Sequence, residues 1–398
     1  MNNDNFNRAE LLLQDLIYPE FPDLSLASGV SGILVMQTAL YQLERNEPRR
    51  ICIEKLVSIL VDQIPQQNLL PGLWSGIAGV LYALEFVRHV NPFLLGDHVE
   101  DIDQFVVEMD STLISYLACS AGRSNFDLVS GISGIGAYAL IRTDKVAGRQ
   151  LFYAVESALL EIAEYSQDMI TWRTPGNLVP VNGTQEERRF GRYDLGIAHG
   201  VSGVIGLLAL AMQEELSSSR SPTLLKKAVK WLLANEDRSI KYSRFASVIS
   251  TENDHSRFTP PSSRLAWCYG DLGISSVLAK AAEVLMDLNL EEKWKDILEN
   301  RLKQPESSFL LDDFGLCHGT SGAFHILSRL SSKAEISVAC NLQSALSKQL
   351  DYSLDKDFEK FPIGLLEGRA GLLLAKMESD MCPVKDIKSW DFCFLTAN

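Results

Sequence analysis

No uncharged apolar run in the chain approaches the roughly 18 residues that a membrane-spanning helix needs, so an integral membrane protein is not expected. Long basic runs are also missing. With 37 Lys+Arg against 51 Asp+Glu the net charge is −14, which disfavours contact with nucleic-acid phosphates. The amino terminus, MNNDNFNRAELLLQDL, lacks the basic start, apolar stretch and small-residue cleavage site of a secretory signal, and a cytoplasmic location is expected. The seven cysteines include no Cys-x-x-Cys pair, so a zinc-finger type of structural site is excluded. In a reducing compartment an odd, scattered set of cysteines implies buried thiols, catalysis or metal rather than disulfides. What is present is a composition 46% hydrophobic and 22% charged, enough apolar surface to form a large core and to rule out general disorder.

Self-similarity organises all 398 residues. A Gly-x-x-Gly element followed by an apolar run occurs seven times, at Gly29/Gly32, Gly76/Gly79, Gly131/Gly134, Gly200/Gly203, Gly270/Gly273, Gly319/Gly322 and Gly368/Gly371. Successive first glycines lie 47, 55, 69, 70, 49 and 49 residues apart. The runs that follow, such as Val204-Ile205-Gly206-Leu207-Leu208-Ala209-Leu210, are apolar on every side and predict buried inner helices. Between them lie one-sided stretches. Ala9, Leu12, Leu13, Leu16 and Ile17 share one helix face, as do Leu224, Ala228, Trp231 and Leu232 behind an N-cap at Ser221 and Pro222. Each repeat is therefore an outer amphipathic helix, a connection and an inner helix, with the glycines expected to let crowded inner helices approach one another. The first and last inner segments are as apolar as the middle ones, where an open solenoid would need polar caps. The expected fold is all-α, a single α/α toroid of seven helical hairpins spanning residues 1–398.

Two steps exceed the others by about 20 residues, placing insertions near 169–194 and 237–263. Their Pro, Gly, Asn and Ser content predicts loops with short strands, candidates for a lid or a docking surface beside the repeat that opens at Gly200.

The two residues before each first glycine hold equivalent addresses and should face one end of the ring. They read Ala27-Ser28, Trp74-Ser75, Val129-Ser130, Ala198-His199, Cys268-Tyr269, Cys317-His318 and Leu366-Glu367. Cys268 and Cys317 are one repeat apart, and His318 adds a third donor, a set that suits Zn²⁺ with one tetrahedral position left for a reactant. Two thiolates make the ion a poor activator of water and a good holder of an incoming thiol, which points to thiolate alkylation or addition. His199, one repeat earlier, is the candidate proton handler. Asp127, either its orienting carboxylate or an N-cap, competes for the first role with Asp194. Arg264 either stabilises an oxyanion or lies in a polar loop. His325 fits a core histidine, and Cys52, Cys119, Cys340, Cys382 and Cys393 fit structural thiols.

Asp127 before GISGIG, Ala198-His199-Gly200, Arg264 through Trp267-Cys268-Tyr269-Gly270, and Cys317-His318-Gly319 resemble the signature motifs of the LanC-like lanthionine synthetases, the lanthipeptide cyclases. The resemblance covers almost the whole chain. It implies an α/α toroid holding zinc through Cys268, Cys317 and His318, with His199 moving the proton, Asp127 supporting it, and Arg264 and Tyr269 lining the site. The implied reaction adds a peptide cysteine thiol to dehydroalanine or dehydrobutyrine, giving lanthionine or methyllanthionine thioether rings in a peptide that is often antimicrobial. It further implies a dehydrated precursor peptide with a leader as substrate and a separate dehydratase as partner, with membrane proximity only through an export transporter. The competing expectations are a relative that adds glutathione to dehydroamino-acid peptides, a thiol-alkylating prenyltransferase-like toroid, and a peptide-binding scaffold in which zinc only stabilises.

Overall fold

Every Gly-x-x-Gly element opens a helix at the residue after its first glycine. The computed structural model describes residues 22–119, 125–251, 261–334, 337–356, 358–378 and 389–396. The inner helices are α1 (Val30–Leu43), α3 (Ile77–Val90), α5 (Ile132–Ile141), α8 (Val201–Gln213), α10 (Asp271–Leu285), α12 (Thr320–Ala334) and α14 (Arg369–Glu378). Outer helices follow them as α2 (Glu47–Gln63), α4 (Val99–Ala118), α6 (Lys145–Glu161), α9 (Ser221–Ala234), α11 (Leu288–Leu302) and α13 (Ser337–Lys356). All ten residues of α5 are buried, as the all-round apolar sequence requires. The amphipathic face proposed for residues 9–17 lies outside the described residues.

The inner helices close on themselves. Each packs on the next in chain order, and α14 packs back on α1. A second closure runs through the loops before them, where backbone amides donate from repeat to repeat. Ala27 N donates to Trp74 O at 2.9 Å, Trp74 N to Val129 O at 3.0 Å, and Leu128 N to Ala198 O at 3.0 Å. Ala198 N then reaches Cys268 O at 3.4 Å, Cys268 N reaches Cys317 O at 3.1 Å, Cys317 N reaches Leu366 O at 3.1 Å, and Leu366 N returns to Ala27 O at 2.9 Å.

The glycines serve the local turn first. A Cβ at Gly79 would lie 1.9 Å from the Leu73 carbonyl oxygen, six residues back in the same loop, and 2.9 Å from Leu26 Cβ of the preceding repeat. The expected crowding between repeats is thus real but secondary. Gly270 has a further reason: its φ of +107° is a conformation that L side chains rarely adopt.

The hole of the ring is filled by the carboxy-terminal segment. Trp390–Phe394, all buried, form a short 3-10 turn that packs on α5 and α1. Phe394 sits 4.8 Å from Trp74 and 4.9 Å from Trp267, ring centre to ring centre. The Tyr82 hydroxyl donates to Trp390 O at 2.9 Å, and Trp267 Nε1 donates to Phe394 O at 2.8 Å. Asp391 is wholly buried and bonded to His325 Nε2 at 3.1 Å, with Arg329 Nη2 at 3.4 Å. Burial disfavours the ionised Asp391, but Arg329 and His325 outweigh it and hold the carboxyl below the usual carboxylate range.

The two insertions build one small module. β1 (Glu164–Ser166) and β2 (Met169–Thr171) form a hairpin, α7 (Gln185–Phe190) follows, and β3 (Arg192–Asp194) pairs antiparallel with β4 (Val248–Ser250) of the second insertion. Residues 252–260 of the second insertion lie outside the described residues. Leu224, Ala228, Trp231 and Leu232 are buried on α9 as expected. Ser221 differs from expectation. It is the first helical residue and donates its hydroxyl to the buried Glu156, so Arg220 holds the cap position without a side-chain cap.

Because Asp391 is a wholly buried carboxylate bonded to His325 and Arg329, Asp391→Ala removes the acidic partner of both from the core. Its cost is expected to be about 3–5 kcal/mol, read as a lower denaturant midpoint at unchanged m-value.

Candidate metal centre and active site

The closed chain of amide bonds decides which side chains meet. Cys268 N donating to Cys317 O brings two loops into register, and one donor atom from each of Cys268, Cys317 and His318 then lies within 4.8 Å of the others. Cys268 is buried, while Cys317 and His318 are half-buried at the mouth. Two thiols and an imidazole in mutual reach match the preference of Zn²⁺ and not that of the oxygen-seeking Mg²⁺ or Ca²⁺. The donor set therefore fits the metal expected from the spacing.

The electrostatics at the mouth favour a cation. Cys268 is pushed down to about 5, first by the hydrogen bond from Cys317 and then, against burial, by His318 and Arg264. Cys317 is pushed up, because it donates to that sulfur and is itself desolvated. One thiolate forms readily and the second needs a positive charge to accompany it. His318 is pushed up to about 10 by its bonds to Asp313 and Cys268. Asp313 Oδ2 lies 3.0 Å from His318 Nε2, which leaves Nδ1 as the nitrogen available to a metal. Burial opposes ionisation of Asp313, but the His318 bond prevails and its carboxyl stays below the ordinary range.

His199 belongs to the neighbouring loop, held by Ala198 N on Cys268 O. Its Nδ1 lies 2.7 Å from Asp127 Oδ2, across one repeat boundary. Burial lowers its affinity for a proton, yet the bond to Asp127 outweighs this and leaves the imidazole above the ordinary histidine value. Asp127 bonds His199 and is not a helix cap: its Oδ1 accepts from Ser130 N at 2.8 Å in the turn, and Gly131 holds the cap position of α5 with no side-chain cap. Asp194 does not compete for His199. It is buried, accepts from Thr174 Oγ1 at 2.7 Å and Arg192 Nη2 at 3.0 Å, and takes the Tyr269 hydroxyl at 2.7 Å. Burial and then the Asp194 charge push the Tyr269 phenol well up, so it stays protonated. Its ring centre lies 6.3 Å from that of His199.

Arg264 is half-buried and, among the described residues, makes no hydrogen bond or ion pair. Its charge nevertheless helps to lower Cys268 and Asp313. His325 is the expected core histidine, bonded to Asp391 and packed against Trp390, ring centres 4.9 Å apart. Cys52 and Cys393 are buried, but Cys119 and Cys340 are exposed, so a packing role does not extend to them. Cys382 lies outside the described residues.

Asp313 is the site residue that sequence reasoning missed. A signal for it exists in the repeat. Six residues before the first glycines stand Asp194, Arg264 and Asp313 in successive repeats, a second set of equivalent addresses behind His199, Cys268 and Cys317. The Asp313 carbonyl takes the first helical amide, with Thr320 N on Asp313 O at 2.9 Å. That bond satisfies an otherwise orphaned helix-start donor and fixes where the side chain emerges.

Comparison with known proteins agrees with this geometry. The family model for lanthionine synthetase C-like protein matches residues 20–395. The nisin biosynthesis protein NisC of Lactococcus lactis subsp. lactis is 24% identical over 382 residues, covering 90% of this chain and 86% of that protein. The solved structure of a nisin cyclase superposes with a TM-score of 0.83 at 19% identity, covering 99% of this chain and 98% of the other, and establishes the likeness of fold.

Metal binding should release protons in a specific pattern. With Cys268 already ionised near pH 7, and Cys317 and His318 still protonated, zinc should displace about two protons per ion. Calorimetry in buffers of different ionisation enthalpy reads this number directly. Apparent affinity should rise roughly a hundredfold per pH unit between pH 6 and 8, and a flat profile would remove these residues as ligands.

Proposed function

The chain belongs to the lanthionine synthetase C-like family, and from that premise we propose that it is a carbon–sulfur bond-forming cyclase acting on a dehydrated precursor peptide. The substrate carries a cysteine and a dehydroalanine or dehydrobutyrine in one chain. The cysteine sulfur bonds to the alkene β-carbon, the α-carbon gains a proton, and the thiol proton departs, so the product is an isomer of the substrate. The observation that carries this reading is the convergence of Cys268, Cys317 and His318 beside the Asp127–His199 pair.

Cys268, Cys317 and His318 would hold Zn²⁺, which when bound supplies a positive centre that keeps an incoming thiol ionised. The other residues take the remaining tasks. Asp127 fixes the Nδ1 proton of His199 and presents Nε2 to the reactants. Held above the ordinary histidine value, His199 carries an Nε2 proton into the neutral range and delivers it to the α-carbon. Arg264, which makes no hydrogen bond or ion pair among the described residues, would supply positive charge to the carbonyl oxygen on which negative charge builds. Tyr269 contributes a wall. Its hydroxyl is committed to Asp194, so it braces His199 without moving a proton.

Dehydration of serine and threonine is a separate reaction, and a dehydratase is the source of the substrate. The consumption of a free thiol suits the reducing cytoplasm. Among the described residues no helix is long and apolar enough to cross a membrane.

The assay follows from mass balance. Zinc-loaded protein is incubated with a dehydrated, cysteine-containing peptide, and the product is treated with a thiol alkylator and weighed. Cyclisation leaves the mass unchanged and abolishes labelling. With glutathione present, a mass gain would mark the intermolecular relative, and retained labelling would mark a scaffold. Cys268→Ala and Cys317→Ala should each lose zinc and activity together. His199→Ala should keep zinc and slow closure by roughly 10²–10⁴-fold. Asp127→Asn removes the charge that raises His199, so the alkaline limb of its pH–rate profile should move to lower pH.

A further inference from the structure

A cavity of about 250 Å³ lies against the metal centre between the sixth and seventh repeats. Phe314, Phe361, Pro362 and Leu372 form its apolar walls, and His318 closes the side towards the thiols. Phe314 and Phe361 meet edge to face at 5.2 Å, both half-buried, so two aromatic rings remain partly open to solvent beside a metal ligand. Asp313 and Glu367 stand on the rim. No reaction step above uses these apolar walls.

We propose that this cavity is a binding subsite for the side chain of the residue adjacent to the reacting cysteine, and that it selects an uncharged aliphatic or aromatic side chain. The inference rests on the cyclase reading above. Three observations converge on it. Size comes first: 250 Å³ falls below the roughly 300–1,000 Å³ of small-molecule sites and matches one large side chain. Reach is second. His318 belongs to both the cavity and the metal donors, whose atoms lie within 4.8 Å of each other, and consecutive Cα atoms are about 3.8 Å apart. The side chain of a residue adjacent to the bound cysteine is therefore within reach of the cavity. Charge is third. Two carboxylates at the rim oppose an acidic neighbour, and the half-exposed rings gain by losing water to an apolar one.

The test uses three peptides that differ only beside the cysteine, with Leu, Ala or Asp, each made in a dehydroalanine form and in an alanine form that cannot close a ring. Binding of the alanine forms to the zinc-loaded full-length protein is measured by calorimetry. The Leu peptide should bind about tenfold tighter than the Ala peptide, with Asp weakest. Phe361→Ala should reduce the Leu-over-Ala preference to within about twofold while leaving the Ala peptide unchanged. Pro362→Asp, an exposed substitution that keeps the fold should Phe361→Ala not, should abolish the Leu preference by adding a third rim carboxylate. Equal binding of all three peptides to the unaltered protein, or a Leu preference that survives either variant, overturns the subsite. Cyclisation of the dehydroalanine forms stands apart: if rings close without regard to the neighbour, the subsite fails and the cyclase reading survives. If no peptide closes, the cyclase reading fails.

Discussion

The chain of amide-to-carbonyl hydrogen bonds that runs once around the mouth is the constraint on which the site depends. Seven loops, each just ahead of an inner helix, donate to the next, and the last returns to the first. In a partly buried loop an unpaired peptide group costs on the order of 1–3 kcal/mol, so an open arrangement would leave one donor and one acceptor stranded at its ends. Closure removes both ends. It also fixes separations: residues 49 positions apart in sequence, such as Cys268 and Cys317, become adjacent, and their sulfurs converge without any local motif between them. The same bonds place Leu128 beside Ala198 and Ala198 beside Cys268, which carries Asp127 to His199 and His199 to the metal loop.

Onto this frame the sequence hangs three acid partnerships with different reach. Asp313 holds His318 within one repeat, Asp127 holds His199 across a boundary, and Asp194 holds the Tyr269 hydroxyl across the next. Each fixes an orientation that a free ring would lose. Two of them set which imidazole nitrogen faces outward, and the third keeps the Tyr269 phenol neutral beside His199. Asp194 has an added consequence. Through Thr174 and Arg192 it is continuous with the insertion module, so the module is bonded to the wall of the site and is not a detached appendage.

The sequence made legible whatever repeats. A fixed period means a fixed address, and comparing addresses was enough to find the inner helices, the ring, Cys268, Cys317, His318 and His199. Asp127 was legible with its two readings unresolved, because the hydrogen bond that decides between them crosses to a residue 72 positions away. Asp194 stood as a rival for His199 for the same reason: from spacing alone His199 is near, whereas Tyr269 comes near only through the ring. The carboxy-terminal plug was not legible at all. Tyr82 and Trp390 are 308 residues apart and belong to no common period, and neither the β3–β4 pairing nor the burial of Asp391 leaves a trace in local composition.

The plug bears on chemistry as well as stability. Trp267, the residue before Cys268, is bonded to Phe394 O from below, while Cys268 N is bonded to Cys317 O from the side. Gly270, with its left-handed φ, then turns the chain directly into α10. The metal-side loop is therefore fixed from beneath, from the side and at its exit before any ligand arrives. Ordering costs of about 1–2 kcal/mol per residue are incurred in folding rather than at binding, which is the condition for a site that must hold a flexible peptide and still place a sulfur against one carbon. Among the described residues the carboxy-terminal segment contributes no donor atom to the cluster, yet by filling the hole Trp390–Phe394 make the floor on which the donor loop stands.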